Sequence, residues 1–365
     1  MKVIKELYLK STRFIEYGGD TMQAAVWHDV KDLRVEEITE PVISSGKMKV
    51  KVEWAGICGS DLHAYLHGLS MEAHPISGQK PPITLGHEFS GTIVEVADDV
   101  TRYQVGERVA IEPLLYCGEC YACKRGYYNQ CSKVGFVGLN RDGGFAEYVI
   151  VNENMVHVLP ENVSFEEGAL VEPTAVSFYA VRESKLKPGD AVAIFGAGPI
   201  GLLTLLSVKA AGATQIIVVD LSTERLEKAK ELGATTVIDG MRNDIVETIL
   251  ELTNGGVSVA YECAGAQPTM TSAVASVKQG GQVMAIAVYA KPVSIDMGQV
   301  MFKAADITST LAYRHVFPEV IEMIATGRLD VKSVITKKID LKDIVEDGFN
   351  QLINDKKQAK ILVRP

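Results

Sequence analysis

Residues 117–131 read CGECYACKRGYYNQC and place Cys117, Cys120, Cys123 and Cys131 within one short stretch. Three of them recur at every third position. That spacing lets thiolates converge on one ion, and zinc is the usual occupant. The competing reading is a set of free or oxidisable thiols, since a reducing cytosol disfavours disulfides. Four thiolates complete a tetrahedral shell and leave no position for substrate. The stretch therefore predicts a structural zinc site, and any catalysis has to be carried elsewhere.

A second constellation is GAGPIG at 196–201. It follows the apolar run DAVAIF and opens the helical stretch PIGLLTLLSVKAAGA, and the next apolar run, QIIVVD, ends at Asp220. Strand, glycine turn, helix, strand and acid, in that order, make a dinucleotide-binding pattern. Gly196 allows the tight turn, Gly198 lets the backbone approach a pyrophosphate, and Gly201 lets the helix pack closely on the strand. The helix N-terminus favours the anionic phosphates. Asp220 can accept hydrogen bonds from ribose hydroxyls, and its charge repels a 2′-phosphate, so NAD is expected rather than NADP. Without a ligand, the same residues would make only a tight turn.

A third set is dispersed. GICGSDLH carries Cys58, Ser60, Asp61 and His63, TLGHEFSG carries His87 and Glu88, and LVEPTAV carries Glu172. One thiolate, one imidazole and one carboxylate suffice for a zinc site with an open coordination position. These residues are too far apart for spacing to join them. Taken singly, a lone cysteine is most often a small buried hydrophobe, and a lone His or Glu a satisfied polar group.

Such residues need elements to position them. Residues 22–150 form a β-rich region, with runs such as MKVKVEWAG, SGTIVEVA and FAEYVIV separated by Gly, Pro and Asp turns. Residues 185–313 alternate strand-like and helix-like runs, among them STERLEKAKELGA, with Ser222 placed as N-cap and Gly233 near the C-terminus. This alternation predicts βαβ units and a parallel sheet covered on both faces. TMTSAVASVKQ reads as helix, GQVMAIAV as strand and AKILV as a final strand. The fold class expected is α/β, in a chain of 365 residues with 47% hydrophobic and 23% charged residues. A net charge of −9 and the lack of a basic stripe argue against nucleic acid as a partner. No apolar run is long enough to span a membrane, and the N-terminal MKVIKELYLKSTRFIEYGGD lacks a secretory apolar segment. A cytoplasmic location is expected, with residues 1–21 as an extension ahead of the fold.

From GICGSDLH, GHEFSG, the four-cysteine stretch, VEP, and GAGPIG with Asp220, in this order, residues 22–365 resemble the zinc-dependent medium-chain dehydrogenase/reductase family. HAYLHG, HPISGQKPPITLGHEFSGTIVEV, GFAEYV and LVEPTAV are similar to its butanediol dehydrogenase branch, with sorbitol and threonine dehydrogenases the nearest competing branches. The resemblance implies a β-rich GroES-like catalytic domain, 22–184 with 314–365, and a doubly wound Rossmann domain, 185–313. It implies NAD and two zinc ions per chain as cofactors. Cys58, His87 and Glu172 match catalytic zinc ligands, and Glu88 matches an acid able to approach the metal as an alternative ligand. Asp61 would orient the His87 ring. Ser60 and His63 match a proton relay. Cys117, Cys120, Cys123 and Cys131 match the structural site. Arg225 matches a basic residue beside the adenosine ribose, and Ile200, Ala264 and Val288 match cofactor contacts.

The implied reaction is hydride transfer between NAD and a secondary alcohol, with a diol or hydroxyketone such as 2,3-butanediol and acetoin as the leading substrate. A sorbitol-like polyol or threonine is the alternative. A non-catalytic zinc module would have no use for Cys58, His87 and Glu172, and a zinc-free quinone reductase would lack them and the cysteine stretch. LAYRH at 311–315 departs from the family's glycine-rich wording near the nicotinamide pocket, and that bears on substrate scope. A homodimer or homotetramer is expected, with GQVMAIAV or ITSTLAY as an edge strand able to pair across a two-fold axis.

Overall fold

The computed structural model describes residues 19–242, 244–355 and 357–365. The expected extension thus lies outside the described residues up to position 18. Thr21 already opens the first strand, Thr21–Asp29, opposite Thr39, so the ordered fold begins before position 22.

Six parallel strands form one sheet, in the order Thr236–Asp239, Gln215–Asp220, Ala191–Phe195, Val257–Glu262, Val277–Ala285 and Asp306–Ser309. The inner strands are near-continuous apolar runs because helices cover both faces. VSVAYE, for example, is buried at every position. Strand order reverses between Ala191–Phe195 and Val257–Glu262, the kind of crevice in which α/β sheets bind ligands. Ser222 caps the helix Thr223–Leu232 by accepting the Arg225 N–H at 3.3 Å, and Gly233 ends it at φ +111°.

Two expectations change here. The helix within TMTSAVASVKQ stops at Ser276, and Val277 opens the next strand. Val277 is fully buried opposite Val257, so sheet burial overrides the helical periodicity. GQVMAIAV lies on an interior strand, leaving Asp306–Ser309 as the edge on that side, opposite the Thr236–Asp239 edge.

The remaining strands form a mixed sheet centred on Lys47–Gly56, which pairs antiparallel with Glu88–Val96, Tyr148–Asn152 and Lys360–Arg364. A smaller sheet joins Thr21–Asp29 to Asp32–Thr39 and Ile83–Thr84. Alternating side chains of MKVKVEWAG enter the core built from Met48, Val50, Val52, Phe89 and Ile361. The last strand brings the chain's end beside Gly56. The helix Val171–Arg182 packs on both Pro199–Ala210 and Phe317–Ala325, inside one core that runs from Ala110 and Leu114 to Val192 and Ile194. Glu172, in the first turn of that helix, therefore stands at the seam between the two sheets.

Candidate active site

Cys58 is the N-cap of the helix Gly59–His67, and Asp61, three residues on, accepts the Cys58 N–H at 2.8 Å. The same carboxylate turns its other oxygen toward His87, whose Nδ1 lies 3.4 Å from Asp61 Oδ1. One acid thus caps the start of a helix and lies in charge contact with an imidazole. Ser60 Oγ is 3.2 Å from His87 Nε2. His87 is buried; burial opposes its charge, but Asp61 and Cys58 hold its pKa well above the usual value.

Glu88 follows at the start of its strand, opposite Gly56. A Cβ at Gly56 would stand 2.2 Å from Glu88 Oε2, so only glycine leaves room for this carboxylate. Ligand atoms of Cys58, His87 and Glu88 all lie within 4.8 Å of one another. Glu172 falls outside that set. Its Oε1 accepts the Tyr313 hydroxyl at 2.8 Å, and its Oε2 has no hydrogen-bond partner among the described residues. Burial raises its pKa to about 7, with His87 pulling it down and Glu88 pushing it up. Thiolate, imidazole and one carboxylate converging in a buried recess fit a zinc ion with an open position.

The sequence offered no sign of Lys360, which read only as part of a final strand. Its ammonium bonds both oxygens of Glu88 and the carbonyl of Ile57, and burial of its charge is outweighed by Glu88. His63 is exposed on the same helix as Ser60, its ring 4.8 Å from that of His67.

The four cysteines come together as expected, each sulfur within 4.8 Å of the others. Cys117 and Cys123 sulfurs are 4.0 Å apart, and Cys131 and Cys117 sulfurs 3.5 Å. Disulfide sulfurs sit at about 2.05 Å, whereas four sulfurs about 2.3 Å from one tetrahedral ion stand about 3.8 Å from each other. Backbone N–H groups point at the sulfurs, those of Cys120 and Lys133 at 3.4 and 3.3 Å. Backbone N–H donation lowers the Cys120 thiol to about 6, while burial and its neighbours raise Cys123 to about 12. Four thiols so close cannot all ionise without a cation, and the cluster fits a closed zinc site.

At the sheet's switch point, Gly196 turns at φ +103°, and a Cβ on Gly201 would lie 1.8 Å from Gly196 O. Helix and turn can approach only because Gly201 has none. A Cβ on Gly198 would meet nothing nearer than Arg225 Nη1 at 3.9 Å, so the space over it is open. Arg225 Nη2 donates to Gln358 O at 3.2 Å, and its buried Nε has no partner among the described residues. Asp220 accepts the Ala197 N–H at 2.6 Å and the Ser222 N–H at 2.9 Å, which aims the carboxylate at the turn. The Ile200 carbonyl accepts Ser177 and Thr204 hydroxyls at 3.1 and 2.7 Å. Ala264 follows buried Glu262, which accepts its N–H at 3.1 Å; Val288 is 90% exposed at the rim. An open glycine cradle with a guanidinium beside it fits a dinucleotide pyrophosphate.

Residues 44–161 match the alcohol dehydrogenase GroES-like domain family, and residues 199–326 match the zinc-binding dehydrogenase family. A (R,R)-butanediol dehydrogenase of Bacillus subtilis (strain 168) is 45% identical over 94% of this chain and 100% of its own. The chain belongs to the zinc-binding alcohol dehydrogenases. The solved 2R,3R-butanediol dehydrogenase from Bacillus subtilis superposes with a TM-score of 0.90, covering 94% of this chain and 99% of that one. A sorbitol dehydrogenase of the same strain is 37% identical over 94% of this chain and 97% of its own. A Sinorhizobium meliloti 1021 protein solved bound to NADP is 33% identical, with a TM-score of 0.89 over 95% of this chain and 100% of that one. As a member of the family, the chain is a zinc- and NAD-dependent oxidoreductase built from a GroES-like and a Rossmann-type part. Among the described residues no helix is long and apolar enough to cross a membrane.

Proposed function

We propose that this dehydrogenase oxidises a vicinal diol such as 2,3-butanediol, and reduces the matching hydroxyketone, with NAD. The observation that carries the chemistry is the convergence of Cys58, His87 and Glu88, with buried Glu172 close enough to feel the charges of His87 and Glu88. The substrate class rests on the 45% identity to a butanediol dehydrogenase.

Cys58 and His87 would hold the catalytic zinc, with Glu172 as the third ligand, because Lys360 already neutralises Glu88. When bound, that ion supplies Lewis-acid polarisation of the substrate oxygen, and NAD supplies the hydride acceptor. Asp61, with Oδ1 3.4 Å from His87 Nδ1, would keep the ring turned so that Nε2 faces the site. Ser60, 3.2 Å from the same nitrogen, would pass the hydroxyl proton toward His63, which is exposed on the same helix. Asp220 and Arg225 would hold the adenosine ribose, while Ile200, Ala264 and Val288 would border the cofactor. Cys117, Cys120, Cys123 and Cys131 would hold the structural ion.

The catalytic part would comprise 22–184 with 314–365, and the cofactor part 185–313. The edge strand Asp306–Ser309, next to exposed Met301 and Phe302, supports assembly of two copies through the cofactor part. Six cysteines without a disulfide support a cytoplasmic location.

The deciding experiment is the initial rate of NADH formation with the separate stereoisomers of 2,3-butanediol, sorbitol and threonine at matched concentrations. Preference for one butanediol isomer is expected. Faster turnover of sorbitol, the substrate named for the relative at 37% identity, would move the enzyme to the polyol branch.

A further inference from the structure

The segment 311–315, LAYRH, joins the last strand of the parallel sheet to the helix Phe317–Ala325. Ala312 and His315 adopt φ of +45° and +50°, a region costly for residues other than glycine and retained only where the surroundings enforce it. The enforcing groups come largely from the cysteine lobe. Buried Asn129 donates to the Leu311 carbonyl at 2.8 Å. Tyr128 accepts the His315 N–H at 2.7 Å and donates to Glu112 at 2.8 Å. The Arg314 guanidinium lies 4.1 Å from the Tyr127 ring centroid. Three consecutive residues shortly before Cys131 thus grip the segment, and Arg182 bonds the carbonyls of Arg314 and His315 from the other side.

Between these grips sits Tyr313, with no exposed surface. Among the described residues its hydroxyl has one hydrogen-bond partner, Glu172 Oε1, at 2.8 Å. A hydrogen bond to one carboxylate oxygen fixes the direction of the other, and such partners of metal ligands set metal affinity.

We infer that the cysteine lobe sets the metal affinity of the open site through the strap 311–315, with Tyr313 as the positioning residue for Glu172. This rests on the reading of Glu172 as a ligand. The lobe would then tune the catalytic ion at a distance, through a strap that reaches the open site at the Tyr313–Glu172 hydrogen bond.

The test uses the full-length holoenzyme and measures zinc affinity of the open site by competition with a chromophoric chelator, together with the absorption bands of the cobalt-substituted protein. Tyr313→Phe keeps the packing and removes the hydroxyl; a loss of about 10–100-fold in affinity is expected, with shifted cobalt bands. Tyr128→Phe, in the lobe but no ligand, is expected to weaken the open site by a smaller factor while the closed site keeps its ion. Arg314→Gln decides the matter should Tyr128→Phe also lose the lobe's ion. Unchanged affinity and cobalt bands in Tyr313→Phe would overturn the positioning role. A loss in Tyr313→Phe with none in Tyr128→Phe and Arg314→Gln would overturn the coupling. Glu172→Gln separates the premise: if it binds zinc at the open site as tightly as wild type, Glu172 is no ligand, and the inference falls with that reading.

Discussion

Lys360 places its ammonium 2.8 and 2.6 Å from the two carboxylate oxygens of Glu88, and the side chains are 2% and 0% exposed. A pair so deeply buried is costly to break from one side, because the remaining charge has neither water nor partner. Lys360→Met is therefore expected to destabilise the fold by about 3–5 kcal/mol. The double variant with Glu88→Gln should recover much of the loss. The midpoint of urea unfolding measures both, and equal midpoints for single and double variants would show that the pair is not the unit of stability.

The two metal sites differ in closure, and their variants should separate. Cys58→Ala is expected to lower zinc from two ions per chain to one and to abolish turnover, with thermal unfolding little changed. Cys120→Ser should also remove one ion, but here the melting temperature falls, because the lobe's short turns have few apolar contacts to replace the ion. Under a mild chelator the open site should empty first. Elemental analysis after timed dialysis reads this directly, and simultaneous loss of both ions would remove the distinction.

Metal binding at the open site should be steeply pH-dependent. Burial raises Glu172 to about 7, and Asp61 and Cys58 hold His87 well above its usual value despite burial. Both must lose a proton to coordinate, so affinity rises with pH through neutrality and more than one proton leaves per ion. The sign is opposite for the ion-free fold. A carboxyl whose folded pKa is raised gives its stabilisation below its unfolded value near 4.3, and that stabilisation is lost as pH rises through about 7. Titration calorimetry in buffers of different ionisation enthalpy counts the protons. A count that stays at zero from pH 6 to 8 would contradict the assigned ligands.

What could be recognised in the sequence was local. The cysteine spacing and the GAGPIG turn act within a few residues, so their geometry follows from helix and turn periods. Cys58, His87 and Glu172 carry no such spacing, and only the order of motifs pointed to them. Lys360 and Tyr313 were hidden for a further reason. Lys360 meets a partner 272 residues away, and a lysine at the start of a strand ordinarily reads as a solvated end. Tyr313 meets Glu172 across 141 residues, and in LAYRH it looks like any buried aromatic. The edge of the parallel sheet was equally non-local, since GQVMAIAV becomes an interior strand only once Asp306–Ser309 pairs with it.

The choice between NAD and NADP should turn on Asp220. Its two oxygens already take the N–H groups of Ala197 and Ser222, so the carboxylate cannot swing aside to admit a phosphate. Each oxygen keeps a lone pair for a ribose hydroxyl. Arg225 stands near the same mouth, with an unpartnered Nε. Asp220→Ser removes the repelling charge and leaves that guanidinium in place. A charged hydrogen bond is worth about 1.5–3 kcal/mol, so the NAD-to-NADP ratio of kcat/KM should fall by about 10–100-fold. The 33% identical Sinorhizobium meliloti 1021 relative was itself solved bound to NADP. Rates with both cofactors at saturating diol give the ratio, and adding Arg225→Gln should then reduce the gained NADP activity. If the ratio stays at its wild-type value in Asp220→Ser, the discrimination resides elsewhere in the cofactor cleft and Asp220 serves only to brace the glycine turn.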